Sequence, residues 1–122
     1  MKRLFAWLPA VVWAGFIFFV SAQPKETFDR LGLTGQLLST IGHLVTYGVL
    51  MLLVVLALRY GSNLPTRFVF ITAFVLIALY GLSDEYHQSF VPGRTPTVVD
   101  WLVDLSGAAL VWIILVRRGF SP

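Results

Sequence analysis

The chain has 122 residues, 57% hydrophobic and 12% charged, with a mean hydropathy of +0.82 and a formal charge of +3. Soluble domains carry about 25% charged residues, so this composition excludes a soluble globule and leaves room for about four membrane-spanning helices in one domain over residues 1–122. Most of the nine Lys and Arg residues sit at segment ends, and no basic face recurs with interleaved aromatics, which excludes a nucleic-acid surface, and the lack of cysteine excludes disulfide and thiolate chemistry.

Behind Met1, Lys2 and Arg3, the first predicted span covers residues 4–20, reaching about 25 Å at helical rise. The same stretch has the charged start, apolar middle and small-residue exit, Val20-Ser21-Ala22, of a cleavable signal. Its length, and the presence of Trp7, Pro9 and Trp13, favour a retained span. Residues 23–35 form a polar connector in which Lys25, Glu26, Asp29 and Arg30 balance one another.

The second predicted span, residues 37–58, is lopsided. Ser39, Thr40, Gly42, His43, Thr46, Tyr47 and Gly48 fall in its first half, whereas 49–58 is wholly apolar. Gly61, Ser62, Asn63 and Pro65 then mark a turn. The third span covers 67–83 and continues a little through 84–88. Thr95 and Pro96 read as an N-cap and first helical position for the fourth span, residues 97–116, which ends at Arg117 and Arg118.

With the N-terminus inside, the inner segments hold Lys2, Arg3, Arg59, Arg67, Arg117 and Arg118, and the outer ones only Lys25, Arg30 and Arg94. The positive-inside rule therefore favours an all-α four-transmembrane-helix bundle with both ends inside, N-in/C-in. This orientation brings the exit of span one, the polar start of span two, the end of span three and the start of span four to the outer side.

Residues four apart on a helix are offset by about 40° and share a stripe. One stripe carries Gln36, Ser39, His43 and Tyr47; a second carries Tyr80, Asp84 and Gln88, with His87 beside it; a third carries Asp100, Asp104 and Gly107. Glu85 lies about 100° from Asp84 and reads as a solvated side chain, the weakest candidate contact. Gly107, Ala108 and Ala109 allow close helix approach, which turns the aspartates inward. Asp104 then lies roughly 10 Å into its span, where a carboxylate costs several kcal/mol unless neutralised, paired or hydrated.

Each of these residues alone has a structural reading: His43 as a satisfied core histidine, Asp84 or Asp100 as a cap or a partner of Arg94, the tyrosines as interfacial anchors, Arg94 as a lipid-phosphate anchor. Gathered on one side of a small bundle, they make up nearly all the intramembrane polarity and mark a functional site.

The order of these elements resembles the VanZ-like family of small bacterial membrane proteins. The resemblance rests on Ser21-Ala22-Gln23, His43 and Tyr47, the Asp84-Glu85-x-His87-Gln88-x-Phe90-x-Pro92-Gly93-Arg94 segment, and Asp100-x3-Asp104-x2-Gly107. The central segment is the specific part; the others inform by their order. Gly42 and Asp104 stand where the family pattern often has lysine and asparagine. The resemblance implies a multi-pass protein of the bacterial inner membrane with a role in the cell envelope, linked to resistance to the glycopeptide teicoplanin.

Three functions suit the residues. In the first, an enzyme acts on a lipid-linked cell-wall precursor or phospholipid head group at the outer leaflet, as a transferase or hydrolase. His43 or His87 serves as general base or acid, Asp84 and Asp100 support it, and Arg94 holds a phosphate, with Gln23, Tyr47, Glu85, Gln88 and Asp104 as further contacts. A divalent metal on Asp84, His87, Asp100 and His43 is a variant. In the second, the same site binds such a lipid without catalysis. The third is proton-coupled transport through the Asp/His chain, which the dry stretches 49–58 and 110–116 disfavour.

Overall fold

The computed structural model describes residues 2–33 and 35–120. Six helices follow in order: α1 (Lys2–Phe5), α2 (Leu8–Ser21), α3 (Lys25–Arg30), α4 (Gln36–Gly61), α5 (Thr66–Gln88) and α6 (Val98–Arg117). Four stretches are long and apolar enough to cross a membrane: Arg3–Ser21, Gln36–Gly61, Thr66–Gln88 and Val98–Arg117. No strand occurs among the described residues. The chain is an all-α, multi-pass membrane protein.

The first span is broken at Ala6 and Trp7 into α1 and α2. Pro9 causes this, because it has no N–H to offer the Phe5 carbonyl four residues back and its ring crowds that carbonyl. The polar connector contains the short α3, with an exposed Arg30–Glu26 pair at 2.5 Å and no buried residue. Between α4 and α5, Pro65 sits immediately before the first helical residue, Thr66, and suits the entry to a helix because the first N–H groups have no helical acceptor.

The fourth span starts later than Thr95 and Pro96 suggested. Its N-cap is Thr97, whose hydroxyl accepts from the Asp100 backbone N–H at 3.1 Å and donates to the Asp100 carboxylate at 2.7 Å. This pair of bonds satisfies a first-turn donor and places an acid at the positive end of the helix dipole. Pro96 stands one residue outside.

α4 is the central helix and packs most extensively on α6. The two approach closely at small residues. A Cβ on Gly107 would overlap the Leu44 carbonyl, and one on Gly48 would lie 3.3 Å from the Val111 side chain. The seam expected at Gly107 is therefore present, built as membrane helices build them, by backbone approach rather than by hydrophobic exclusion. Around it Met51, Val55, Ala73, Ile77 and Ala108 are buried, and Phe70 stacks on Trp112 with centroids 5.7 Å apart. Trp13 Nε1 donates to Thr46 O (2.9 Å), Tyr80 OH to Ala14 O (2.6 Å) and Trp101 Nε1 to Ala78 O (3.0 Å). These bonds tie α2 to α4 and α5, and α6 to α5, and meet the indole donors of Trp13 and Trp101 and the phenol donor of Tyr80.

Large apolar side chains cover the outside, among them Val11, Phe16, Phe19, Leu37, Val45, Val75, Leu79, Leu102 and Ile113. On a soluble protein such a surface would aggregate; on this one it is what hydrocarbon chains cover.

Candidate functional site

The last turns of α2 and α5 and the first half of α4 and α6 meet at one end of the bundle. Asp84 lies at the junction, 3% exposed. Its Oδ2 accepts from Ser21 Oγ of α2 (2.8 Å), Tyr47 OH of α4 (3.3 Å) and Gln88 Nε2 one turn along α5 (3.0 Å). Three neutral donors from three helices converge on one oxygen, a charge-assisted arrangement that holds a carboxylate where water is scarce. Its Oδ1 has no partner among the described residues.

One turn inward from Asp100, Asp104 is fully buried, with Oδ1 2.8 Å from His43 Nδ1, within hydrogen-bonding distance. Asp104 fixes the orientation of the imidazole, whose side chain retains 20% exposure. Gly81 makes room for this pair: a Cβ there would lie 3.1 Å from Trp101 and 3.5 Å from Asp104 Oδ2.

Glu85 is buried, not solvated as its helical position suggested, and neither carboxylate oxygen has a hydrogen-bond partner among the described residues. Its angle about α5 is the expected one; what lies in that direction is α6. Glu85, His43 and Asp104 each offer a ligand atom within 4.8 Å of the others, the one grouping of three such side chains among the described residues. The ligand set expected from the sequence, Asp84, His87 and Asp100 with His43, does not gather in this way.

Arg94 reaches the site by a turn. Arg94 N–H donates to Val91 O at 3.1 Å, with Pro92 and Gly93 between them and Gly93 at φ 75°, the left-handed value that favours glycine. The Lys25 N–H donates to Pro92 O (3.3 Å), fastening the turn to α3. Arg94 Nε then donates to Gln23 O (3.2 Å) and Nη2 to Val20 O (3.5 Å), capping the carbonyl end of α2, and the guanidinium lies 4.4 Å from the Phe28 ring centroid. Burial draws its pKa below the ordinary arginine value, against the opposing pull of Asp84, Glu85 and Asp100. It remains charged. Arg94 pairs with no carboxylate, and the rest of its five donors have no protein acceptor among the described residues.

Beside these groups lies a cavity of about 950 Å³. Ser21, His43, Tyr47, Asp84, Gln88, Arg94 and Asp100 line it, with Lys25 and Asp29 from α3; Phe16, Ile17, Val20 and Leu38 supply an apolar wall. Of the remaining expected residues, Gln23 contributes its carbonyl to Arg94, and its side chain bonds Phe19 O (3.0 Å). His87 stacks on Phe18, with centroids 4.3 Å apart, and is not on the cavity wall. Ser21, Lys25 and Phe28 were not among the expected site residues. Of these only Ser21 carried a signal, as part of the Ser21-Ala22-Gln23 exit of the first span.

The assembled geometry can do two things chemically. It sets Arg94 and Lys25 among Asp29, Asp84 and Asp100 beside an apolar wall, and it presents an imidazole aligned by a buried carboxylate. No curated protein and no solved structure matches the chain. The sequence model of the VanZ/LLP1 family matches residues 5–118, nearly the whole chain, and the chain belongs to that family.

Proposed function

We propose that the cavity receives the phosphate-bearing head group of a phospholipid or lipid-linked cell-wall precursor at the outer leaflet of the bacterial inner membrane. The observation that carries this reading is the composition of the cavity wall. Arg94 and Lys25 offer positive charge on a wall shared with Asp29, Asp84 and Asp100, Ser39 and Thr95 offer hydroxyls, and Phe16, Ile17, Val20 and Leu38 offer a surface for an acyl or prenyl chain. A volume of about 950 Å³ is at the upper end for small-molecule sites and suits a head group with part of its chain. The placement at the outer leaflet is supported by the charge asymmetry of the loops. The link to glycopeptide resistance is supported by family membership. Holding a precursor at this site would alter what a glycopeptide reaches outside the membrane.

The test is mass spectrometry of lipids retained through purification in mild detergent. A phosphate-bearing lipid is expected with the unaltered chain and is reduced in Arg94→Ala and in Lys25→Ala. Equal retention in the unaltered chain and both variants would sink the reading.

Catalysis is the second reading, favoured by the His43–Asp104 contact. A base aligned by a buried acid is the arrangement that proton-transfer sites use. On this reading His43→Gln retains the lipid but loses the envelope phenotype in a teicoplanin-susceptible host, while the protein still accumulates in the membrane. An unchanged phenotype would leave binding alone.

A further inference from the structure

We propose that His43, Glu85 and Asp104 bind one divalent transition-metal ion, Zn²⁺ or Mn²⁺, in the partition between the main cavity and a lateral groove. Their ligand atoms lie within 4.8 Å of one another, contributed by α4, α5 and α6. What points to an ion is the state of the carboxylates. Glu85 is 8% exposed and Asp104 0%, and Glu85 Oε1, Glu85 Oε2 and Asp104 Oδ2 are buried without a hydrogen-bond partner among the described residues. Two adjacent carboxylates inside a helical bundle repel each other and have each given up water. Hydrogen-bonded partners normally meet that desolvation cost. His43 reaches only Asp104 Oδ1, so three oxygens remain for a cation to satisfy.

The donor set narrows the ion. One imidazole nitrogen with two carboxylates suits Zn²⁺ or Mn²⁺, whereas Mg²⁺ and Ca²⁺ favour all-oxygen shells. Three protein ligands are also the number that leaves a coordination position open for a small anion or water. The site adjoins two spaces: His43 lines the main cavity, and Glu85 lines a groove of about 620 Å³ with Trp101 and Pro96 between α5 and α6. With the ion in place, His43 is a ligand and cannot serve as a free base. The assignment stands independently of the head-group reading, because it rests on residues whose chemistry is satisfied by the ion itself.

The full chain, purified in detergent and stripped with EDTA, is loaded separately with Zn²⁺ and Mn²⁺, desalted, and its metal content counted by inductively coupled plasma mass spectrometry. About one ion per chain is expected for at least one of the two metals. Glu85→Gln is expected to weaken it by more than about 100-fold, since even outer-shell substitutions cost 10–100-fold. The exposed Glu26→Gln is the control and keeps the ion. Uptake of neither metal by the unaltered chain overturns the proposal, as does equal uptake by Glu85→Gln. Should Glu85→Gln fail to accumulate, paramagnetic resonance of Mn²⁺ titrated with the unaltered chain and competed with Zn²⁺ gives the answer alone. Loss of the free-ion signal, or its suppression by prior Zn²⁺ loading of a chain that retains zinc, supports the site; an unperturbed Mn²⁺ signal with no retained zinc overturns it. Metal content and lipid content are read separately, so either reading can fail without the other.

Discussion

At the residue scale, Asp84 is the side chain on which most of the polar network depends. Ser21, Tyr47 and Gln88 all donate to its Oδ2. Removing the acceptor leaves buried donors unmet, each costing about 1–3 kcal/mol. Asp84→Ala is therefore expected to lower the thermal midpoint in detergent clearly, followed by tryptophan fluorescence, and Asp84→Asn, which keeps a carbonyl acceptor, to lower it less. Equal loss in both would show that charge, not hydrogen bonding, is what the three donors serve. Asp84 was legible in the sequence because a carboxylate at the polar end of an apolar helix is too costly to keep unless it is paired, hydrated or used. Glu85 was not, although it adjoins Asp84. Its direction follows from helical geometry, but whether that direction meets lipid or protein depends on which side of α5 the fourth span occupies. His87 shows the converse: near the Asp84 stripe in angle, it stacks on Phe18 rather than facing the cavity.

At the scale of elements, the four membrane-spanning stretches were legible to within a turn, because apolar length is dictated by the bilayer and polar breaks are unambiguous. What escaped were local effects. The division of the first span at Pro9 depends on a single missing N–H, and the start of α6 depends on which of two threonines, Thr95 or Thr97, has an acid three residues on to accept from its hydroxyl. Thr97→Ala should cost about 1 kcal/mol, the usual value of an N-cap hydroxyl, and would loosen Asp100, which Thr97 holds beside the cavity. The α4–α6 seam gives a sharper test. Gly107→Ala drives a methyl into the Leu44 backbone, whereas Gly15→Ala in α2 meets nothing within 4 Å. The first is expected to destabilise by several kcal/mol, as overpacking against backbone does, and the second to be neutral or stabilising by up to about 1 kcal/mol through helix propensity. Thermal denaturation of the two variants side by side measures the difference, and similar midpoints would mean that the seam can open at little cost.

At the scale of the whole molecule, the distribution of charge gives an expectation for which way the site faces. Arg3 Nη2 donates to Asn63 Oδ1 (3.1 Å) and Arg59 lies 5.1 Å over Phe120, so the start of α1, the α4–α5 turn and the end of α6 gather at one end. Arg67 lies in the first turn of α5 at that same end, and Arg117 and Arg118 close α6. The opposite end carries the cavity with Lys25 and Arg94. Positive charge in short loops is retained on the cytoplasmic side, and acids count little in that balance. The cavity should therefore open outward. Because the chain has no cysteine, a single introduced thiol reports its side without background. Ser89, exposed after α5, and Asn63, exposed in the α4–α5 turn, stand at opposite ends. In intact cells a membrane-impermeant maleimide is expected to modify Ser89→Cys directly and Asn63→Cys only after permeabilisation. The reverse pattern would place Arg94 and its cavity against the inner leaflet. An extracellular antibiotic and a translocated precursor would then both be out of reach, and the same polar wall would have to serve a cytoplasmic lipid instead.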